Sequence, residues 1–96
     1  MIRHTVLIAC EGAPDDAIET AIAELRALPP LISEIAAYSV GRDLGLAGTT
    51  ADIVIVAEYA TVADYETYGA HPEHVRVVTD HITPIATGVT RGQVEI

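Results

Sequence analysis

An unbroken apolar run from Ile53 to Ala57 constrains this 96-residue chain more than any other feature. The run is short and rich in β-branched residues, so it predicts a strand within residues 51–60. Because successive side chains of a strand point to opposite faces, both faces of this strand are apolar and both need a cover. A chain of this size has a single modest core, and its helices can cover only one of the two faces.

Apolar periodicity and turn residues divide the chain into elements in the order β-α-β-β-α-β, within one domain spanning residues 1–96. The predicted strands are 2–10, 35–41, 51–60 and 87–96. The first helix is predicted at 15–28, with capping-box spacing between Asp16 and Glu19. Apolar residues three and four residues apart predict its buried stripe: Ile18, Ala21, Ile22, Leu25 and Leu28. The second helical segment is predicted as two pieces, 61–68 with Thr61 as its cap, and 72–85. This order is that of the ferredoxin-like α+β fold, a four-stranded antiparallel sheet with helices on one face.

The uncovered apolar face of the sheet predicts self-association. A second copy packed sheet against sheet would cover it, so we expect a homodimer that forms a dimeric α+β barrel. The alternative is a monomer that exposes an apolar face, which favours aggregation.

Charge and cysteine content exclude several functions. Five Arg stand against fourteen Asp and Glu, a net charge of −9, and the Arg are scattered. Such a surface repels phosphate backbones and anionic lipid, so we expect neither nucleic acid nor a membrane as partner. The single cysteine, Cys10, excludes an internal disulfide and a cysteine-based metal site. With no apolar stretch of signal or membrane-spanning length, we predict a cytoplasmic protein.

The segment from Tyr68 to His74 holds the densest set of proton-carrying side chains. Pro72 suits the first position of a helix, which puts His74 near the third. A helix N-terminus disfavours an imidazolium, so His74 would be a neutral base, and Tyr68 would donate to an oxygen on which negative charge develops. The alternative is structural: His71 or His74 binds the backbone and caps the helix.

The first strand carries a further histidine. His4 shares a face with Val6 and Ile8, so it is either a hydrogen-bonded core histidine or the wall of a pocket. If that strand and the Tyr68–His74 segment border one cavity, a small apolar or carbonyl-containing ligand would contact His4, Val6, Ile8 and His71. The histidine and carboxylate spacings match no recognised metal site, and we expect no metal and no cofactor.

These residues resemble those of the stress-responsive A/B barrel family, part of the dimeric α+β barrel superfamily. The resemblance covers nearly the whole chain. It lies in Ile2-Arg3-His4, in Leu28-Pro29-Pro30 with Ile32, in Val40-Gly41-Arg42-Asp43, in Ala51-Asp52-Ile53, and in Tyr65-x-x-Tyr68-x-x-His71-Pro72-x-His74. It implies a homodimer, and most members of the family have no assigned reaction.

One enzyme branch of that fold adds a specific expectation. The pattern is similar to that of the olivetolic acid cyclase type of polyketide cyclase, which implies catalytic roles for Tyr68 and His74 and a pocket role for His4. The activity implied is a cofactor-independent aldol closure, although this chain has no Phe or Trp to wall an aromatic product. Three functions therefore stay open: a small-molecule-binding protein of unassigned activity, a cyclase-like enzyme, and a purely structural oligomer.

Overall fold

The computed structural model describes residues 1–96, and it confirms the predicted ferredoxin-like α+β fold. Four antiparallel strands form one sheet in the order β2-β3-β1-β4. Their bounds are β1 Ile2–Ala9, β2 Ala37–Arg42, β3 Ile53–Tyr59 and β4 Gly88–Glu95. The run that predicted a two-faced strand is therefore β3, and it lies inside the sheet between β1 and β2.

Three α-helices accompany the sheet, at α1 Asp15–Arg26, α2 Val62–Ala70 and α3 Pro72–Val77. A 3-10 turn at Pro29–Leu31 follows α1, and a π-helical turn at Val78–Ile82 follows α3. None of these helices combines the length and the apolar character that crossing a membrane would require.

The helices cover one face of the sheet, which we call the inner face. Burial alternates along β1 and β3, where His4, Val6, Ile8, Ile53 and Ile55 are buried while the residues between them are half-buried. Helix α1 supplies the opposing apolar stripe, as its three- and four-residue spacing predicted. That stripe consists of Ile18, Ala21, Ile22 and Leu25, all buried.

The opposite face of the sheet, here the outer face, has no helix over it. Leu7 on β1 lies directly opposite Val54 on β3, and Thr5 lies opposite Val56. These side chains are only half-buried in the single chain. The prediction that nothing in the chain covers this second apolar face is therefore confirmed.

Helix boundaries follow local chemistry, with two corrections. The Thr61 hydroxyl accepts a hydrogen bond from the Asp64 amide at 3.1 Å, which confirms Thr61 as the cap of α2. The predicted Asp16–Glu19 capping box is wrong, because α1 already begins at Asp15 after Pro14 and has no side-chain cap. Glu19 instead accepts a hydrogen bond from Arg42.

The predicted helix at 72–85 is wrong beyond Val77. The chain continues as a π-helix, in which the Thr83 amide donates to the Val78 carbonyl at 2.8 Å across five residues. Such wider turns are rare and often occur at functional sites. Here the turn brings Val78 and Ile82 to the space between helices and sheet.

Candidate functional site

A cavity of about 490 Å³ lies between the inner face of the sheet and the helices. This volume falls in the range typical of small-molecule sites, which are concave and mostly apolar. Ten of its fifteen lining residues are hydrophobic. The aliphatic part of the wall comprises Val6, Ile8, Leu25, Ile55, Val78, Ile82, Ala86 and Val89.

The structure brings most of the predicted site residues to this one cavity. His4, Val6 and Ile8 reach it from β1, Tyr68 from the end of α2, and His74 from α3. The predicted sharing of a cavity by the first strand and the Tyr68–His74 segment is thus seen in the structure.

His71 is the exception among the predicted residues. It is not among the residues that line the cavity. It lies between α2 and α3 in an extended conformation, and its Nδ1 accepts a hydrogen bond from the Glu73 amide at 3.1 Å. With Pro72 at the first position of α3, His71 acts as the N-cap, because its ring satisfies an amide that has no partner within the helix. We therefore correct its predicted place in the pocket to a capping role.

The backbone determines the tautomer of His74. Its Nδ1 lies 3.0 Å from the Gly69 carbonyl oxygen, which can only accept, so Nδ1 carries the proton. In the neutral ring Nε2 is then the unprotonated nitrogen that can take a proton. Burial lowers the pKa of His74, the hydrogen bond to Gly69 partly opposes this shift, and the positive charge of Arg91 lowers the pKa further. The neutral ring expected from the helix N-terminus is thus favoured chiefly by burial.

His4 has the complementary arrangement. It is 4% exposed, and its Nδ1 lies 2.9 Å from the amide nitrogen of Gln93 on β4. Since the amide NH₂ donates, Nδ1 accepts, and the proton of the neutral ring lies on Nε2. Burial lowers the pKa of His4, and Arg91 and His74 add to the effect. His4 is therefore both a hydrogen-bonded core residue and a cavity wall, which joins the two alternatives left by the sequence.

Tyr68 lies between the two histidines. Its ring centroid is 4.3 Å from that of His74 and 6.5 Å from that of His4. The side chain is 4% exposed, and burial raises its pKa. The phenol consequently keeps its proton near neutral pH and can donate it in a hydrogen bond.

Two further tyrosines lie behind Tyr68. The hydroxyls of Tyr38 and Tyr59 are buried and have no hydrogen-bond partner. Burial raises the pKa of both phenols, and the nearby Tyr68 side chain raises it further. No hydrogen bond of acceptable geometry joins either hydroxyl to Tyr68. The Tyr59 ring packs against the Tyr68 ring in a tilted arrangement, with 5.0 Å between the ring centroids, and so supports its position.

Strand β4 contributes two residues that the sequence analysis did not select. Gln93 holds His4, and Arg91 lines the cavity as its one permanently charged residue. The signal that would have found them is strand register, because Gln93 pairs with His4 and Arg91 with Val6. No group of three His, Cys, Asp or Glu side chains lies close enough together to hold a metal ion.

Solved structures share this architecture. A dimeric ferredoxin-like protein of unknown function from Thermobifida fusca YX is 30% identical, with a TM-score of 0.88 over 99% of this chain and 90% of that one. A dimeric protein of unknown function from Bacteroides fragilis NCTC 9343 is 24% identical, with a TM-score of 0.87 over 99% and 95%. A hydroxynitrile lyase from Passiflora edulis is 19% identical, with a TM-score of 0.84 over 99% and 92%, which shows a common fold.

Comparison with the curated proteins found no match. The model of the stress responsive A/B barrel domain, in contrast, matches residues 2–92. That match spans β1, β2, β3, all three helices and the first part of β4, and with the 30% identical structure it confirms the resemblance drawn from the sequence. The chain therefore belongs to the stress responsive A/B barrel domain family.

Proposed function

We propose that this protein binds a small, mostly apolar, carbonyl-containing molecule in the cavity between the sheet and the helices. The observation that carries the proposal is the cavity itself, about 490 Å³ of space with aliphatic walls and His4, Tyr68 and His74 on its border. Protein interiors are normally packed to the density of organic crystals, so a purely structural oligomer would fill such a space with side chains.

A second, more specific candidate is cofactor-independent carbon–carbon bond formation. The observation that favours it is the His74 tautomer, because Nδ1 donates to Gly69 and Nε2 is free to accept a proton. In this candidate, His74 removes a proton from a carbon next to a carbonyl, and the Tyr68 hydroxyl stabilises the enolate oxygen. The carbanion attacks a second carbonyl of the same molecule, and the proton held by His74 passes to the resulting alkoxide.

Thermal-shift screening with small β-diketones tests the binding proposal, since a ligand of the folded state raises the unfolding midpoint. We expect a diketone to raise the midpoint of the wild type and of the control His81→Gln, whose side chain lies outside the cavity. Leu25→Trp fills the cavity from α1 and should abolish the shift. An equal shift in Leu25→Trp would place binding elsewhere and contradict the proposal.

Proton exchange separates binding from catalysis. In D₂O, NMR should show that the protein accelerates deuterium uptake at the carbon between the carbonyls of a bound diketone. His74→Gln should lose this acceleration by a factor of about 10² or more while still binding, given the usual contribution of a general base. Exchange that survives His74→Gln unchanged would rule out His74 as the base.

We further propose that the protein is a homodimer joined through the outer face, as predicted from the two-faced β3. Support comes from the half-buried Leu7, Val54 and Val56 on a face without a helix, and from the relatives described as dimeric. Sedimentation equilibrium should give twice the chain mass of 10.1 kDa. Val56→Glu should shift the mass toward that of one chain, and a wild type sedimenting at 10.1 kDa would refute the dimer.

The cytoplasmic location of the protein stays a prediction.

A further inference from the structure

Arg91 is the one arginine of the chain whose side chain makes neither an ion pair nor a hydrogen bond. Each of the other four arginines has a partner: Arg3 pairs with Glu58, Arg42 with Asp15 and Glu19, Arg76 with Glu73 and Glu24, and Arg26 donates to the Val40 carbonyl. The chain has fourteen carboxylates, yet none of them pairs with Arg91, which is an exposed residue on β4. The residues around Arg91 therefore indicate which kind of ligand its guanidinium would bind.

Those surroundings are the cavity. Arg91 lies opposite Val6 in the β1–β4 pairing, two residues from Gln93, which lies opposite His4. All of these residues are on the inner face, and Arg91 is among the residues that line the cavity. No Asp or Glu lines it. An acidic protein thus presents an apolar cavity whose only permanent charge is positive.

We infer that the molecule bound in this cavity is a monocarboxylate, held with its carboxylate on Arg91 and its apolar body against Val6, Ile8 and Ile55. This inference rests on the proposed small-molecule function. A planar guanidinium binds a carboxylate through two parallel hydrogen bonds, and the apolar walls beside it accept the rest of the molecule. A single cation matches a single negative charge, which favours a carboxylate over a phosphate ester.

The electrostatics of the histidines agree with this arrangement. The positive charge of Arg91 lowers the pKa of both His4 and His74, so the guanidinium is near enough to act on both rings. A ligand that reaches from Arg91 to the histidines would carry its carboxylate at one end of the cavity and present its remaining carbon atoms to Tyr68 and His74. The acid would thereby be oriented as well as bound.

The inference can be tested with pairs of small acids and their amides, without knowing the natural ligand. The probes are hexanoate, octanoate and phenylacetate, each compared with its neutral primary amide by isothermal titration calorimetry at pH 7.5. We expect at least one acid to bind tenfold more tightly than its amide, which corresponds to about 1.4 kcal/mol. Arg91→Gln should remove that preference by weakening acid binding far more than amide binding. Arg42→Gln, which removes the same charge at a surface ion pair, should keep the preference.

The outcomes separate this inference from the proposed function. If acids and amides bind equally to the wild type, or if Arg91→Gln keeps the preference, the carboxylate inference is overturned while small-molecule binding stands. If no acid and no amide binds, both are overturned. If Arg91→Gln changes the sedimenting mass, Arg91 belongs to a subunit contact, and the carboxylate inference is again overturned.

Discussion

The buried hydroxyl of Tyr59 offers a prediction whose sign is unusual. Tyr59 is 0% exposed, and its hydroxyl has no hydrogen-bond partner. Burying a hydroxyl without a partner costs about 1–3 kcal/mol relative to water. Tyr59→Phe removes that cost and leaves the ring, with its contacts to Tyr65 and Tyr68, in place. We therefore expect the substitution to stabilise the protein.

The magnitude follows from two opposing terms. The void left by one oxygen atom is on the order of 10 Å³, which costs only about 0.2 kcal/mol at ~24 cal/mol per Å³. The relief of desolvation is several times larger, so the free energy of unfolding should rise by about 1 kcal/mol or somewhat more. For a domain of this size that corresponds to roughly 4–8 °C in the unfolding midpoint.

The assay is thermal and urea unfolding of Tyr59→Phe and wild type at one fixed protein concentration, because association makes the midpoint concentration-dependent. Tyr65→Phe is the matched control: it deletes the same atom, but that hydroxyl accepts a hydrogen bond from Gln93 at 3.4 Å. We expect Tyr65→Phe to be neutral or destabilising by up to about 1 kcal/mol. A loss of 1 kcal/mol or more in Tyr59→Phe would refute the reasoning, because it would mean that the hydroxyl has a partner.

Three further predictions concern pH and the local anchors of the site. Burial lowers the pKa of His4 and His74 below 6.5, so the unfolded chain binds more protons below that pH. The unfolding midpoint should therefore fall as pH drops from 7.5 to 5.5, and His4→Gln should flatten that slope; a midpoint that rises instead contradicts neutral, buried rings. Thr61→Ala removes the cap of α2 and should cost about 1 kcal/mol in urea unfolding, with Thr61→Ser as the control that retains the cap. Asp52→Ala removes the carboxylate that accepts from the Cys10 amide at 2.6 Å and should cost about 1.5–3 kcal/mol, whereas an effect below 0.5 kcal/mol would show that this link between strand ends is not needed.

Local sequence patterns predicted the helices best where the apolar spacing and the capping residues indicate the same element. The apolar stripe of α1, the Thr61 cap and Pro72 at the start of α3 are all found where the sequence predicted them. They fail at two places in the helices. Glu19 had capping-box spacing but pairs with Arg42, and the helix begun at Pro72 becomes a π-helix at Val78.

The candidate site also contains residues that the sequence could identify and residues that it could not. His4, Tyr68 and His74 could be selected from the sequence because their side-chain chemistry is conspicuous, and the fold places them on one cavity. Their specific roles stay predictions. Arg91 and Gln93 could not be selected, because β4 is exposed along its whole length and has no apolar pattern that indicates which residues face inward.

What the sequence by itself determined is the kind and order of the elements, together with a sheet that is apolar on both faces. These follow from interactions between residues close in the chain and from the two-residue period of a strand. Only the tertiary structure decided which nitrogen of His4 carries the proton and which cation lines the cavity. The nitrogen is chosen for His4 by Gln93, 89 residues away, and Arg91 faces the cavity through strand register, which no local pattern encodes.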